Sequence, residues 1–399
     1  MREPVVVTGL GVVSAAGVTR EAFFQALSDG TSGIATDAEF AKTGFSLAAR
    51  IGDFGVKQHV EPRALRRLAR LSQMGLVAAR QALAQGMPTL AYDPDRVGIV
   101  LGTGLGTLKE TMDFVVGYQR DGIAAASPLL FPSSVMNAAA GQMALELGLR
   151  GVNTTVNHRE QSPLSALAFA SDQLALGRAD ALLVGGLDEL CHYAHHGYRR
   201  LGALSATGMR PYALGRDGTV LGEGASIVLL ERASDAQRRG ARALGRVAGF
   251  AATGTRRPRI GWGQEHREAT RAIREAIADA GIDPGEIGWV AGGGNGLGLD
   301  ALEAHAVRDA FERPVPHGSI LGQTGEFMAS GALRIAAALF ALERQRLPGT
   351  VGAGEFDPAA PVHSLVREAR SAHLSAVLIP SLSQGGADAA LVLTSPPSG

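Results

Sequence analysis

The sequence predicts an α/β layered fold built from two fused, related halves, and three observations carry that expectation. Short apolar runs alternate with Ala-rich helical stretches along the chain. A set of segments recurs in the same order in both halves. The composition is globular: 46% of the 399 residues are hydrophobic and 19% charged, far from the low hydrophobicity and high charge of a disordered chain. The length suffices for one large domain or two ordinary ones, with ample core.

The chain opens with Val5-Val6-Val7-Thr8-Gly9, read as a buried strand followed by a turn. A signal peptide would need a basic start, a longer apolar run and a small-residue cleavage site. No apolar run approaches the roughly 18 residues that span a bilayer. The expectation is a soluble cytoplasmic protein without a membrane partner. The 38 basic residues balance 38 acidic ones, which argues against nucleic acid as the main partner. Cys191 is the one cysteine, so no intrachain disulfide can form and a Cys-ligated metal site is disfavoured.

The internal repeat organises the rest. A helical stretch at Met74–Ala84 leads to Asp93-Pro94, a strand from Val97 and a glycine loop ending at Gly106. A second helical stretch at Glu268–Ala280 leads to Asp283-Pro284, a strand from Ile287 and a glycine loop ending at Gly296. Val5–Ser14 resembles Val247–Thr255, and Gly222–Leu230 resembles Gly385–Leu393. The offset, between roughly 160 and 240 residues, is too long for a solenoid and reads as two halves. The Arg-rich stretch Arg232–Arg246 marks the boundary, dividing 1–240 from 241–399. Fully apolar runs at Ala181–Val184 and Ala376–Ile379 suit central strands covered on both faces. Helices at Gly141–Leu147 and Leu333–Arg344 carry small residues on several faces, the pattern of deep burial.

Two motif families invite a ligand. Gly9-x-Gly11-x-x-Ser14 lacks the third glycine of a dinucleotide fingerprint, and Gly102-x-Gly104-x-Gly106 has the wrong spacing. Tight turns in a glycine-rich fold are the better expectation. His192, His195 and His196 follow a strand near Glu189 and Cys191. A metal needs three or four ligands in fixed geometry, so a polar loop is expected, with no metal.

Several segments in order resemble the β-ketoacyl-acyl-carrier-protein synthase family, condensing enzymes of the thiolase fold. They are the opening VVVTGLGVVSAAG, Leu65–Leu83, Phe131–Gly148, Gly177–Leu190 and Arg210–Ala225. The resemblance runs through nearly the whole chain. It implies a thiolase-like layered α-β-α-β-α architecture, whose two similar halves also account for the repeat.

The family's chemistry uses a Cys nucleophile at a strand-to-helix turn, two histidines and a lysine. The resemblance puts Glu160 at the Cys position within Val152–Ala170. Gly292 takes the first histidine, Leu321 the lysine and Glu326 the second histidine. Gln384 stands in the C-terminal gating loop, Ser383-Gln384-Gly385-Gly386. All four catalytic positions are changed while their flanks are kept. Gly292 and Leu321 have no side chain able to donate a proton, and Glu326 repels a malonyl carboxylate.

One branch of the family keeps the fold without the cysteine: the chain-length factors, or ketosynthase β subunits, of type II polyketide systems. The resemblance to that branch implies a heterodimer with a Cys-His-His ketosynthase, and an acyl carrier protein as second partner. No cofactor is implied, since the carrier's phosphopantetheine belongs to the substrate. A Gln commonly replaces the cysteine in that branch; here Glu160 does, with Gln161 beside it. Glu160 is expected to be an anchor at a helix N-terminus. Phe114, Tyr118, Leu129, Leu130, Phe131 and Met136 are the candidates for the wall of a chain-holding tunnel, each of which ordinary packing also explains. Arg63, Arg66, Arg67 and Arg70, at helical spacing, suit either an acidic carrier protein or solvent. Two alternatives stay open: an acyl-transfer enzyme with a rearranged site, using Glu160 as base, and a homodimer that binds acyl chains or carriers.

Overall fold

The computed structural model describes residues 3–123, 131–258, 261 and 263–396. Among them, ten strands form the central sheet. In chain order these are β1 (Val5–Ser14), β2 (Val97–Gly102), β3 (Asn153–Val156), β4 (Ala181–Asp188), β5 (Gly224–Arg232), β6 (Gly245–Gly254), β7 (Ile287–Gly292), β8 (His317–Ser319), β9 (Ala376–Leu382) and β10 (Ala387–Thr394). Their spatial order is β8-β7-β9-β10-β6-β1-β5-β4-β2-β3.

The sheet is two five-stranded groups of one topology. In the first, β3, β2 and β4 run parallel and β5 and β1 add antiparallel. In the second, β8, β7 and β9 run parallel and β10 and β6 add antiparallel. The groups meet where β1 pairs with β6 through Val5–Val247, Val6–Arg246 and Val7–Gly245. The segments that resemble one another in sequence thus hold equivalent places: β1 and β6, β2 and β7, β5 and β10.

Helices cover both faces. Side chains alternate across each strand, so each strand feeds two cores. Leu182 and Val184 of β4, and Val377 and Ile379 of β9, join one central core. Leu183 and Leu187 of β4 turn to a second core with helix α1 (Arg70–Gly86). Leu378 and Leu382 of β9 turn to a third, with α3 (Arg267–Ala280) and α4 (Leu299–Ala310). Between the two groups lie α2 (Ser162–Ala175) and α5 (Gly331–Arg344), both contributing to the central core. Gly331–Leu342 is buried at every position, which accounts for its small residues: a helix apolar all round belongs in an interior. Each fully buried Leu or Ile there contributes about 1.5–3 kcal/mol relative to exposure.

The opening segment differs from expectation. No turn follows Gly9; β1 continues to Ser14, with an irregularity between Val7 and Gly9. Gly9 and Gly11 lie inside the strand because α1 crosses it closely. A Cβ on Gly9 would stand 2.1 Å from the Ala82 carbonyl oxygen, and one on Gly11 1.8 Å from that of Ala78. The pattern that mimics a phosphate loop is a strand-helix contact. The Arg-rich boundary is also structured. Arg232 ends β5 and bonds Asp180 and Asp235, and Arg239 bonds Glu231, whose side chain is fully buried.

No helix among the described residues is long and apolar enough to cross a membrane. His195 is not part of a polar loop: it is buried, stacks on Phe40 at 3.8 Å and bonds the Phe45 carbonyl through Nε2 at 2.9 Å. His192 and His196 are exposed.

Candidate functional site

The loops at the C-terminal ends of β2, β4, β7 and β8 converge with the Ser383–Gly386 turn and the turn before α2. Asp188, the last residue of β4, ties two of them together. Its Oδ1 accepts from Thr103 Oγ1 at 2.7 Å and Leu105 N at 2.9 Å, and its Oδ2 from Ala329 N at 2.8 Å.

Glu160 sits in a one-turn 3-10 helix, Arg159–Gln161, immediately before α2. It does not cap α2. Its buried carboxylate faces the Ser383 hydroxyl and the Gln384 backbone amide, while Oε2 has no hydrogen-bond partner among the described residues. Burial pushes its pKa up, and those contacts with Arg159 only partly oppose this. Ser381 Oγ donates to the Glu160 carbonyl at 2.9 Å, and Arg159 Nη1 to the Gln384 carbonyl at 2.9 Å. The anchor expected at a helix N-terminus is therefore an anchor to the C-terminal turn.

Gly292 ends β7, and the space a side chain would need is already taken. A Cβ there would lie 2.2 Å from the Tyr212 hydroxyl, 2.5 Å from Glu303 Oε1 and 2.5 Å from His317 Nε2. A Cβ on Gly294 would meet the Tyr212 ring at 2.3 Å. The Tyr212 hydroxyl donates to Glu303 and accepts from Gly294 N at 2.9 Å. Tyr212 holds φ of +58°, a left-handed conformation costly for a bulky residue. Asp300 maintains it: Oδ2 accepts from Tyr212 N at 2.6 Å, and Oδ1 from Asn295 N at 2.8 Å.

Charge in this pocket is balanced internally. Burial pushes Glu303 up, but the His317 hydrogen bond and charge, with Arg334, outweigh it and hold the carboxyl below its usual range. Arg334, 4% exposed on the all-buried helix α5, donates to the Pro380 carbonyl and faces that of Ala291 at 3.5 Å. Burial lowers its pKa, opposed by Glu303 and Glu326.

Leu321 is fully buried and packs with Met209 and Val220. The residue expected at the lysine position is thus a buried apolar side chain. Glu326 is buried, its backbone pinned by Glu326 N to Val220 O and Gly222 N to Glu326 O, both at 2.8 Å. Burial, then the nearby Glu160 carboxylate, push its pKa to about 8.

This has a measurable consequence. The folded chain holds the Glu326 proton to about pH 8, whereas the ordinary carboxyl value is 4.5. Between those values the folded state binds more protons than the unfolded one, so stability falls as pH rises. Asp300, pushed to about 7 by burial, and Glu189, pushed to about 7 by burial and then Glu110 and Glu223, act in the same direction. Denaturant titrations from about pH 5 to about pH 8 are expected to show declining stability, and Glu326→Gln to flatten the slope and be more stable near pH 8 by on the order of 2 kcal/mol. A slope unchanged by the substitution would assign the titration to other groups.

The remaining sequence candidates fall in three places. Phe114 and Phe131 touch, with ring centroids 5.8 Å apart. Tyr118, Phe131 and Met136 are exposed, with Val116 and Val135 beside them. Leu129 and Leu130 lie outside the described residues. Gln161 is buried with Oε1 unpartnered among the described residues, and Gln384 is half-buried. Arg63, Arg66 and Arg67 are exposed. Arg70 is not a free cation: it turns inward to the buried Glu223 at 2.6 Å and the Ile51 carbonyl at 2.6 Å. A fully buried carboxylate competes for it more strongly than solvent.

Sequence patterns missed Tyr212, Glu303, Arg334 and Asp188. The one local signal was the run Gly292-Gly293-Gly294 after a strand, which marks close approach by something else.

A layered α/β chain of two like halves, with the loops at the ends of its parallel strands gathered around the turn before a buried helix, defines a condensing-enzyme scaffold. The chain belongs to the beta-ketoacyl synthase family: its N-terminal domain model matches residues 2–236 and its C-terminal domain model residues 244–353. A 3-oxoacyl-[acyl-carrier-protein] synthase 2 of Staphylococcus aureus (strain COL) is 28% identical, with 97% of each chain covered. The ishigamide ketosynthase/chain length factor superposes with TM-score 0.90 at 27% identity, over 99% of this chain and 100% of the other. A type II PKS acyl-carrier protein in complex with its ketosynthase bound to the hexaketide supplies a chain of the same fold, with TM-score 0.90 at 22% identity, over 99% of this chain and 100% of that one.

Proposed function

We propose that this chain is a non-catalytic ketosynthase-like subunit, a chain-length factor. It pairs with a Cys-His-His ketosynthase and helps set the length of a polyketide or polyene chain held on an acyl carrier protein. One observation carries the reading: a side chain at Gly292, the position that the resemblance matches to the first histidine, would collide with Tyr212, Glu303 and His317. Glu160 and Leu321 add to it, since neither supplies a thiolate or an ammonium. Likeness to the ishigamide ketosynthase/chain length factor is consistent with it.

The surface supports a partner. β3 is an edge strand, a template for pairing with another chain. Beside its end stands the exposed apolar group Tyr118, Phe131 and Met136; Asn157 Nδ2 lies 3.0 Å from Met136 Sδ. Apolar side chains exposed together suit an interface, and one that also walls a tunnel explains Phe114 and Phe131. Arg63, Arg66 and Arg67 are the cations left for an acidic carrier protein.

Native mass spectrometry of the protein purified from its own host is expected to give a stoichiometric complex with a Cys-bearing chain of similar size. The chain alone is expected to show no condensation, and Phe114→Ala in the complex to lengthen the product. Turnover by the chain alone that Glu160→Ala abolishes would overturn the reading in favour of a rearranged enzyme. A stable homodimer without such a partner would favour an acyl-binding protein.

A further inference from the structure

Helix Leu108–Asp121 buries a single residue, and it is an acid: Glu110, 9% exposed. Phe114 and Val115 stay half-buried, and Val116 and Tyr118 are exposed. A surface helix normally docks through an apolar stripe, so a carboxylate holds the place that an apolar anchor would take. Two further buried carboxylates share its surroundings. Glu189, 6% exposed, is the residue after β4, and Glu223, fully buried, is the residue before β5.

Pairing separates the three. Glu223 accepts from Arg70 Nη2 at 2.6 Å and from the amides of Ile51 and Leu190 at 2.9 and 3.2 Å. Glu189 Oε2 accepts from Leu71 N at 3.0 Å, but its Oε1 has no hydrogen-bond partner among the described residues, and neither has Glu110 Oε2. The cations at hand are committed. Arg70 serves Glu223 and the Ile51 carbonyl, and Lys109 serves Asp113 at 2.6 Å. From the helix His192–Arg200, Tyr193 donates to Asp113 at 3.1 Å, and the exposed His192 acts on Asp113 and Glu39. Cys191, which precedes that helix, is a thiol that burial pushes up, so it stays neutral.

Two buried carboxylates, each with an unpaired oxygen, cannot both stay charged at small cost. Burial, then Glu110 and Glu223, push Glu189 up to about 7, and burial pushes Glu110 up as well. We propose that one proton, held by Glu110 and Glu189, latches helix Leu108–Asp121 to the body of the protein, and that losing it releases the helix. Glu189 cannot retreat, being pinned past the end of β4 by Leu71 N. Glu110 can, because light contacts hold the rest of its helix: the Phe114–Phe131 pair, Thr111 Oγ1 to the Ser134 carbonyl at 2.8 Å and the Tyr193–Asp113 bond. A carboxyl group that holds its proton more tightly in the folded state stabilises that state at low pH, and the gain is lost as pH rises through the folded value. The helix is therefore docked below about pH 7 and loosened above it. The same helix carries Phe114 and Tyr118, so its release would also weaken the association proposed above. That consequence rests on the chain-length-factor reading, whereas the latch belongs to the chain by itself.

Hydrogen exchange of the full chain at about pH 6 and about pH 8.5 measures the latch without any partner. Protection factors remove the intrinsic pH dependence of exchange. Residues 108–121 are expected to lose about tenfold in protection over that range, the equivalent of one pKa unit. Glu189→Gln keeps an acceptor for Leu71 N and removes the charge. In that variant the protection of 108–121 is expected to vary less than about twofold with pH, while the β9–β10 hairpin keeps its original pH dependence. Glu110→Gln makes the same test from the helix side should the first variant not fold. Protection of 108–121 that does not change with pH, or that falls equally in the unsubstituted chain and in either glutamine variant, would overturn the proposal. Failure to find a Cys-bearing partner would overturn the function proposed above and leave the latch standing.

Discussion

Restoring histidine at Gly292 is expected to destabilise the protein rather than revive it. The new Cβ alone would stand 2.2 Å from the Tyr212 hydroxyl and 2.5 Å from both Glu303 Oε1 and His317 Nε2. None of the three can retreat easily. Tyr212 is held at both ends, by Asp300 on its amide and by Glu303 and Gly294 on its hydroxyl. Overpacking usually costs 1–3 kcal/mol, and here polar groups also lose their partners, so Gly292→His is expected to cost on the order of 4 kcal/mol. Tyr212→Gly removes the nearest of the three obstructions, frees Glu303 and His317 of the Tyr212 hydroxyl and suits the left-handed φ. The double variant should therefore be more stable than the two single losses sum to, by at least about 1 kcal/mol of coupling. Urea unfolding of the four proteins measures this cycle. Strict additivity would mean that Tyr212 and position 292 do not compete for one space. Favourable coupling would show that Tyr212 and a side chain at position 292 compete for one space.

Much of the fold was legible in sequence because it repeats. The Asp-Pro, Ile/Val-Gly and glycine-loop order at Asp93–Gly106 and Asp283–Gly296 marks β2 and β7, which do hold equivalent places. The apolar run Ala376–Ile379 became β9, and the small-residue stretch Leu333–Arg344 became most of α5. These features are local and periodic. The match of Glu160, Gly292, Leu321 and Glu326 to the family's catalytic positions is read from their flanking residues. What packs against Gly292 was not legible. Tyr212 lies 80 residues before Gly292 in sequence (292 − 212), and its role arises only when β5's preceding loop folds against the end of β7. Arg334 reads as an interruption in an apolar helix, and only the carbonyls of Pro380 and Ala291 explain it. Arg70 failed as a docking cation for the same reason: helical spacing reports a shared face, not the buried Glu223 waiting beneath it.

Asp188→Ala is expected to produce the largest loss among substitutions outside the altered positions. The carboxylate is fully buried and, among the described residues, faces no cation within bonding distance; backbone amides and one hydroxyl donate to it instead. Burial pushes its pKa up, and these donors oppose that. Removing it strands Thr103 Oγ1 and the amides of Gly104, Leu105 and Ala329. Each buried unsatisfied donor costs about 1–3 kcal/mol, partly relieved by relaxation or entering water, so a net loss of about 3–5 kcal/mol is expected. Asp188→Asn should cost less, because its carbonyl oxygen still accepts while its amide meets another donor. The loss should also be directional. The Gly104 carbonyl accepts from Asn157 Nδ2 at 3.1 Å, so a loosened 103–106 loop reaches the end of edge strand β3. Hydrogen exchange is therefore expected to rise first at 103–106, 153–157 and 328–330, with the β9–β10 hairpin unchanged at the same denaturant. Uniform acceleration across both halves would show that Asp188 merely adds to global stability. Acceleration confined to those segments, with weaker association to a Cys-bearing partner, would make Asp188 the residue that couples the altered site to the interface.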